Sequence, residues 1–192
     1  MKETIQEIIG DQINKLSTYL DAIEKNGLEV KSIDIDSTYL AENYRQTQTF
    51  SKCTELKSLY NSLPKNKPVL YWFSFEREKL NDYTLQQALE SISGHTGERK
   101  IAEIPKIQRK SSGTLYVGKV KDKFHYRFIN HLGHSVNGKT GSLQLTYWYN
   151  PLLYGNLKLN YIVLEEEMKT LIGILEIELA KKLKPVLGSH KN

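Results

Sequence analysis

One cysteine, Cys53, stands among 192 residues. A lone thiol excludes an internal disulfide and any zinc site built on four cysteines, and it makes a reduced, cytoplasmic setting the expectation. No apolar run approaches the roughly 20 residues that cross a bilayer, so no membrane partner is expected. The polar start, Met1-Lys2-Glu3-Thr4, does not read as a secretory signal. There is no glycine-rich phosphate loop, no HExxH pair and no EF-hand pattern, and neither repeats nor low-complexity tracts. At this length one large domain, or a domain with an extension, can bury an adequate core.

Charge is unevenly placed. The net charge is +5. Residues 1–65 carry 8 Lys/Arg against 10 Asp/Glu, whereas residues 66–192 carry 19 against 12. Residues 99–127 alone hold 9 basic and 2 acidic side chains. Such clustering is the footprint of a polyanion partner, though a solvated basic surface produces the same count. Arg109, Lys110, Lys119, Lys121 and Lys123 are the candidate nucleic-acid contacts.

Hydrophobic spacing divides the chain. Ile5, Ile8, Ile9, Leu16, Leu20 and Ile23 predict an amphipathic helix over 3–25, stopped by Asn26-Gly27. Leu28, Val30, Ile33 and Ile35 suggest a short extended piece. A second helical region, capped by Ser37 or Thr38, ends near Leu63, before Pro64. Cys53 lies on its apolar stripe with Phe50, Leu56 and Leu59, and reads as a small buried hydrophobe. Together these form a helical extension, 1–65, with stripes suited to packing on the core or on a second copy, a homodimer through the N-terminal helices.

From 66 the pattern changes. Residues 68–75 read as a strand, then a helix capped by Asp82 and closed by Gly94, and a basic loop to Lys110. Residues 113–119 read as a strand ended by Gly118, where the backbone can approach a ligand. A helix over 122–132 follows, with Asp122 as N-cap and Phe124, Phe128 and Leu132 as its buried stripe. Leu143, Leu145, Tyr147 and Tyr149 alternate as in a strand, a short helix being the alternative. Leu157, Leu159, Tyr161 and Val163 alternate again, and a helix spans about 166–183. The expected fold is α/β: a small, mainly antiparallel central sheet flanked by helices.

The chemistry gathers around Tyr116-Val117-Gly118-Lys119 and the following helix. Arg127 and His131, four residues apart, share one helical face. A phenol, an ammonium, a guanidinium and an imidazole suit a phosphate: the guanidinium forks onto two oxygens while the others add donors. Far downstream, Glu176 stands between Leu175 and Ile177, where a carboxylate is costly to bury unless it is paired or holds a metal.

Tyr116-Val117-Gly118 followed by Arg127-x-x-x-His131 resembles the second half of the GIY-YIG nuclease signature. Val69-Leu70-Tyr71 is similar to the GIY element, with Val69 in place of glycine. Glu176, nine residues before Pro185, is similar to the family's metal-binding glutamate, with Gly188 at the family's asparagine. The resemblance implies a nuclease domain over 66–192. In it Glu176 would hold one Mg²⁺ or Mn²⁺, Arg127 would stabilise the pentavalent phosphorus, Tyr71 or Tyr116 would orient or deprotonate water, and His131 could relay that proton. An ordinary phenol titrates near ~10, so cations such as Arg127 or Lys119 must lower it for base work. The expected function is a metal-dependent DNA endonuclease, of restriction, mobile-element or repair type. A catalytically inactive binding module of the same fold and an RNA-directed nuclease stay open as alternatives.

Overall fold

The computed structural model describes residues 2–40, 53–75, 90, 101–103, 113–134 and 141–188. The fold is a mix of α and β built on a four-stranded antiparallel sheet. Its strands are β1 (Lys31–Ile35), β2 (Val69–Phe75), β3 (Thr114–Val120) and β4 (Leu157–Val163), in the order β1-β4-β2-β3. The described helices are α1 (Lys2–Asn26), α2 (Thr54–Ser62), α3 (Phe124–Leu132), α4 (Pro151–Tyr154) and α5 (Ile172–Leu183). Residues 68–75, 113–119 and 157–164 all supply strands, as expected. Among the described residues no helix is long and apolar enough to cross a membrane.

Side chains alternate across the sheet. On one face Val69, Tyr71, Phe73 and Phe75 meet Phe124, Phe128 and Leu132 of α3 in the larger core cluster. These three α3 residues are fully buried, each worth about 1.5–3 kcal/mol by apolar area. On the other face Leu70 joins Leu164, Met168 and Ile172, with Leu171, Leu175 and Leu179 packed around them. Val69, which stands where the GIY-YIG pattern would place glycine, is 0% exposed. Its side chain fills core volume there.

Several local readings change. The short extended piece expected around Leu28–Ile35 forms β1, and it belongs to the central sheet instead of a helical extension: β1 pairs with β4 along its whole length, Lys31 facing Tyr161 and Ile35 facing Leu157. Asp122 does not cap α3. The N-cap is Lys123, in the left-handed conformation at φ 54°, and its N–H donates to the Lys65 carbonyl at 2.7 Å. That tie turns the chain one residue later than the sequence suggests. The helix expected over 166–183 is divided into a 3-10 turn, Glu166–Lys169, and α5.

Leu143 to Tyr149 form no strand. Gln144 takes a left-handed φ of 53° and a 3-10 turn spans Leu145–Tyr147, with the Trp148 indole N–H bonded back to the Leu143 carbonyl at 2.7 Å. Cys53 is buried, and its Sγ also caps α2 by accepting the Leu56 N–H. The helix expected from Asp82, together with Phe50, Arg109 and Lys110, lies outside the described residues.

α1 touches the body through Leu16 and Tyr19, which pack against the Leu70 cluster. The Tyr19 hydroxyl accepts the Glu165 N–H at 3.1 Å. Ile5, Ile8, Ile9 and Ile13 of the same helix remain exposed.

Candidate functional site

Antiparallel pairing sets Tyr71 opposite Gly118 and Phe73 opposite Tyr116. The two phenols therefore rise from neighbouring strands on one face, their ring centroids 6.2 Å apart. α3 crosses that face. Its apolar stripe docks on the sheet, and the residues one helical step around from it, Arg127 and His131, are delivered to the phenols. Arg127 Nε donates to Tyr71 Oη at 3.1 Å, and an Arg127 terminal amine donates to Tyr116 Oη at 3.4 Å. His131 Nε2 lies 2.9 Å from Tyr71 Oη. Thus the structure brings four of the five candidate residues into one hydrogen-bonded cluster.

The tautomer of His131 follows from its other nitrogen. The backbone N–H of Leu143 points at Nδ1, 3.1 Å away. A backbone N–H can only donate, so Nδ1 accepts and Nε2 carries the hydrogen. Nε2–H then donates to Tyr71. Both lone pairs of the Tyr71 oxygen are taken, by imidazole and by guanidinium, and only its own O–H is left to donate outward. The sequence contained no signal for the part played by Leu143, because the contact uses backbone.

Burial decides the protonation states. Tyr71 is 0% exposed, and desolvation pushes its pKa far above the usual phenol value. Tyr116 and the Glu176 charge push the same way, and Arg127 opposes them without winning. Tyr71 is a neutral phenol, not the lowered base that the expected chemistry called for. His131, also 0% exposed, is held neutral, well below the ordinary histidine value, by burial and by the Arg127 charge. With both nitrogens engaged inside the protein, it is a fixed donor and has no path to pass a proton to solvent. Burial also works against the Arg127 charge, but the oxygens of Tyr71 and Tyr116 outweigh it and keep the guanidinium protonated.

Gly118 has a different use from the one its sequence position suggests. It lies inside β3. A Cβ built there would come within 2.6 Å of Tyr116 Cε1 and of Tyr71 Cζ and Oη. The space left by the missing side chain is filled by the two phenols, not by a ligand.

The fifth candidate is joined to the cluster by charge, which reaches Tyr71, and the hydrogen bond it accepts comes from Lys119. Glu176 lies on the inward line of α5, one turn from Ile172 and one from Ala180, both fully buried. Its Oε2 is 2.6 Å from Lys119 Nζ, with the side chains 17% and 33% exposed. Lys119 follows Gly118 and so leaves β3 on the opposite face, the one α5 covers. Of the two ways to offset its burial, a partner or a metal, the carboxylate has a partner. Lys121 and Lys123 are exposed beside the start of α3.

One carboxylate can serve a Mg²⁺ or Mn²⁺ ion only where the ion takes the rest of its shell from water and substrate oxygens, and here the Lys119 ammonium already holds the oxygen such an ion would use. The site does not fit a closed protein cage, since no group of three or more His, Cys, Asp or Glu converges among the described residues. Gly188, which stands where the GIY-YIG pattern would place asparagine, adopts φ 110°, and its N–H donates to the Glu103 carbonyl. That left-handed backbone suits glycine. The preceding residue, Leu187, bridges to Tyr116 beside β3.

Compared with family models, with curated proteins and with solved structures, the chain matches none. The likeness to the GIY-YIG nucleases therefore stands on Tyr71, Tyr116, Arg127, His131 and Glu176 themselves and on their order along the chain.

Proposed function

We propose that this protein is a metal-dependent DNA endonuclease of GIY-YIG type, hydrolysing phosphodiester bonds. The observation that carries the reading is the guanidinium of Arg127 held between the hydroxyls of Tyr71 and Tyr116, with Tyr71 locked in turn by His131. A cation fixed in this way needs little reorganisation when charge builds up on phosphorus. Phosphate is the common polyanion whose planar, forked recognition uses arginine.

Roles follow from exposure. Tyr71 and His131 are sealed from solvent and act as positioning residues for Arg127. Tyr116, 9% exposed, is the outer phenol, and it orients the attacking water. Arg127 binds the non-bridging oxygens. Glu176 would hold the Mg²⁺ or Mn²⁺ ion, which when bound supplies charge for the leaving oxygen. Lys121 and Lys123 extend the contact along the backbone.

A second reading is favoured by one observation: Glu176 is occupied by Lys119. In that reading the fold binds nucleic acid without cutting it.

Incubating supercoiled plasmid and single-stranded RNA with the full chain, with Mg²⁺, Mn²⁺ or a chelator, separates these readings. Nicking or linearisation of DNA that the chelator abolishes is the expected result. Glu176→Gln removes it by orders of magnitude, and Glu178→Gln, an exposed residue paired with Lys181, retains it. Binding without cleavage under either metal establishes the non-cutting module. Cleavage of RNA alone moves the substrate class.

A further inference from the structure

We propose that Lys119 is a resident cation on Glu176, displaced when a divalent ion binds, and that the displaced ammonium then contacts the nucleic-acid phosphate. The inference rests on the nuclease reading and assigns to the same site a means of coupling metal binding to substrate.

Glu176 cannot stand alone on its helix. It lies between Ile172 and Ala180 on the line that faces the sheet, and a carboxylate at 17% exposure requires a cation partner. Lys119 supplies one at 2.6 Å. Gly173, one turn before Glu176, borders the ammonium: a Cβ there would meet Lys119 Nζ at 3.4 Å and its Cε at 3.8 Å, an ordinary packing contact.

The same geometry makes occupancy exclusive. A divalent ion bound to this carboxylate would bring a second positive charge against the ammonium in a partly buried site, where repulsion is strong. Among the described residues no second acid relieves it. Glu178 is exposed and paired with Lys181, and no other metal-ligating group joins Glu176 among the described residues.

Lysine suits such an exchange, being a compact charge on a flexible four-carbon stem. Arg127, tied to two phenols, does not. The phosphate of a substrate attracts Lys119 away from the carboxylate and also offers oxygens to the metal. Each event therefore favours the other, which is positive coupling between two ligands.

The test is Mn²⁺ binding to the full chain without nucleic acid, read from free Mn²⁺ by electron paramagnetic resonance. Wild type, Lys119→Met, Lys119→Gln, Lys119→Arg and the double variant Lys119→Met/Glu176→Gln are compared. Both neutral substitutions are expected to tighten Mn²⁺ binding by about tenfold, from loss of a competing ion pair and of a repelling charge. Lys119→Arg should stay near wild type, and the double variant should lose the gain. Unchanged or weaker binding in both neutral variants overturns the exchange, as does a gain that survives removal of Glu176. Wild-type cleavage with no change in Mn²⁺ affinity on neutralising Lys119 removes the exchange and leaves the nuclease. Tightened binding in a protein that never cuts removes the nuclease and leaves the cation exchange.

Discussion

Gly118 lies directly across the β2–β3 ladder from Tyr71, and the phenol ring occupies the place where a side chain on Gly118 would be. The glycine is a packing requirement of the tyrosine pair. Its effect on any reaction is exerted through the placement of Tyr71 and Tyr116.

Gly118→Ala should therefore overpack the site. A methyl group meeting ring atoms at 2.6 Å is expected to cost about 1–3 kcal/mol, read as a lower urea midpoint. Gly173→Ala is the contrast. Its Cβ meets only the end of a flexible lysine, so the change should be neutral or stabilising by up to about 1 kcal/mol through helix propensity. Equal stability of Gly118→Ala and wild type would remove the packing account.

The two phenols should separate by readout. Tyr71→Phe strands a buried imidazole N–H and a guanidinium N–H, so it should destabilise by about 1–3 kcal/mol. It should lower cleavage through misplaced Arg127. Tyr116→Phe loses the longer Arg127 contact, 3.4 Å, at a phenol that keeps 9% exposure, and should cost less than Tyr71→Phe, about 0.5–1.5 kcal/mol, while lowering kcat with little change in DNA affinity. A stability loss larger in Tyr116→Phe than in Tyr71→Phe would reverse the inner and outer assignments.

His131 gives a pH dependence of known sign. Its folded pKa is depressed, so the unfolded chain takes up a proton first as pH falls. The stability tied to neutral His131 is complete above the unfolded value of about 6.5 and is lost as pH drops from there toward the folded value, at no more than about 1.4 kcal/mol per pH unit. His125 and His134 are shifted in the same direction by burial, so the comparison must be by difference. Between pH 7.5 and 5, wild type should lose more stability than His131→Gln. Parallel curves would show that His131 does not titrate as described.

Binding to DNA should weaken steeply with salt. Each neutralised phosphate contributes about 0.9 to the slope of log affinity against log salt. Lys121→Ala and Lys123→Ala should each lower that slope by about 1 and weaken all sequences alike. Titrations at several salt concentrations measure it, and an affinity flat in salt would exclude the electrostatic interface.

What the sequence determined by itself is the set of local faces. The apolar run at 68–75 and the alternation over 113–119 and 157–164 marked three strands of the sheet. The spacing of Phe124, Phe128 and Leu132 marked the stripe that docks α3, and hence the face on which Arg127 and His131 travel. These follow because burial repeats with the period of the element.

Only the tertiary structure decided the partners. Lys119 meets Glu176 from 57 residues away. The Leu143 backbone sets the His131 tautomer. β1 joins β4 across more than a hundred residues. At Leu143–Tyr149 the alternation was present, but the left-handed Gln144 and the bond from Trp148 to Leu143 turn the chain before it can pair. A periodic pattern reports which way a side chain points. What it meets depends on the path of the rest of the chain, and that contact sets whether Glu176 is paired, Tyr71 neutral and His131 a donor.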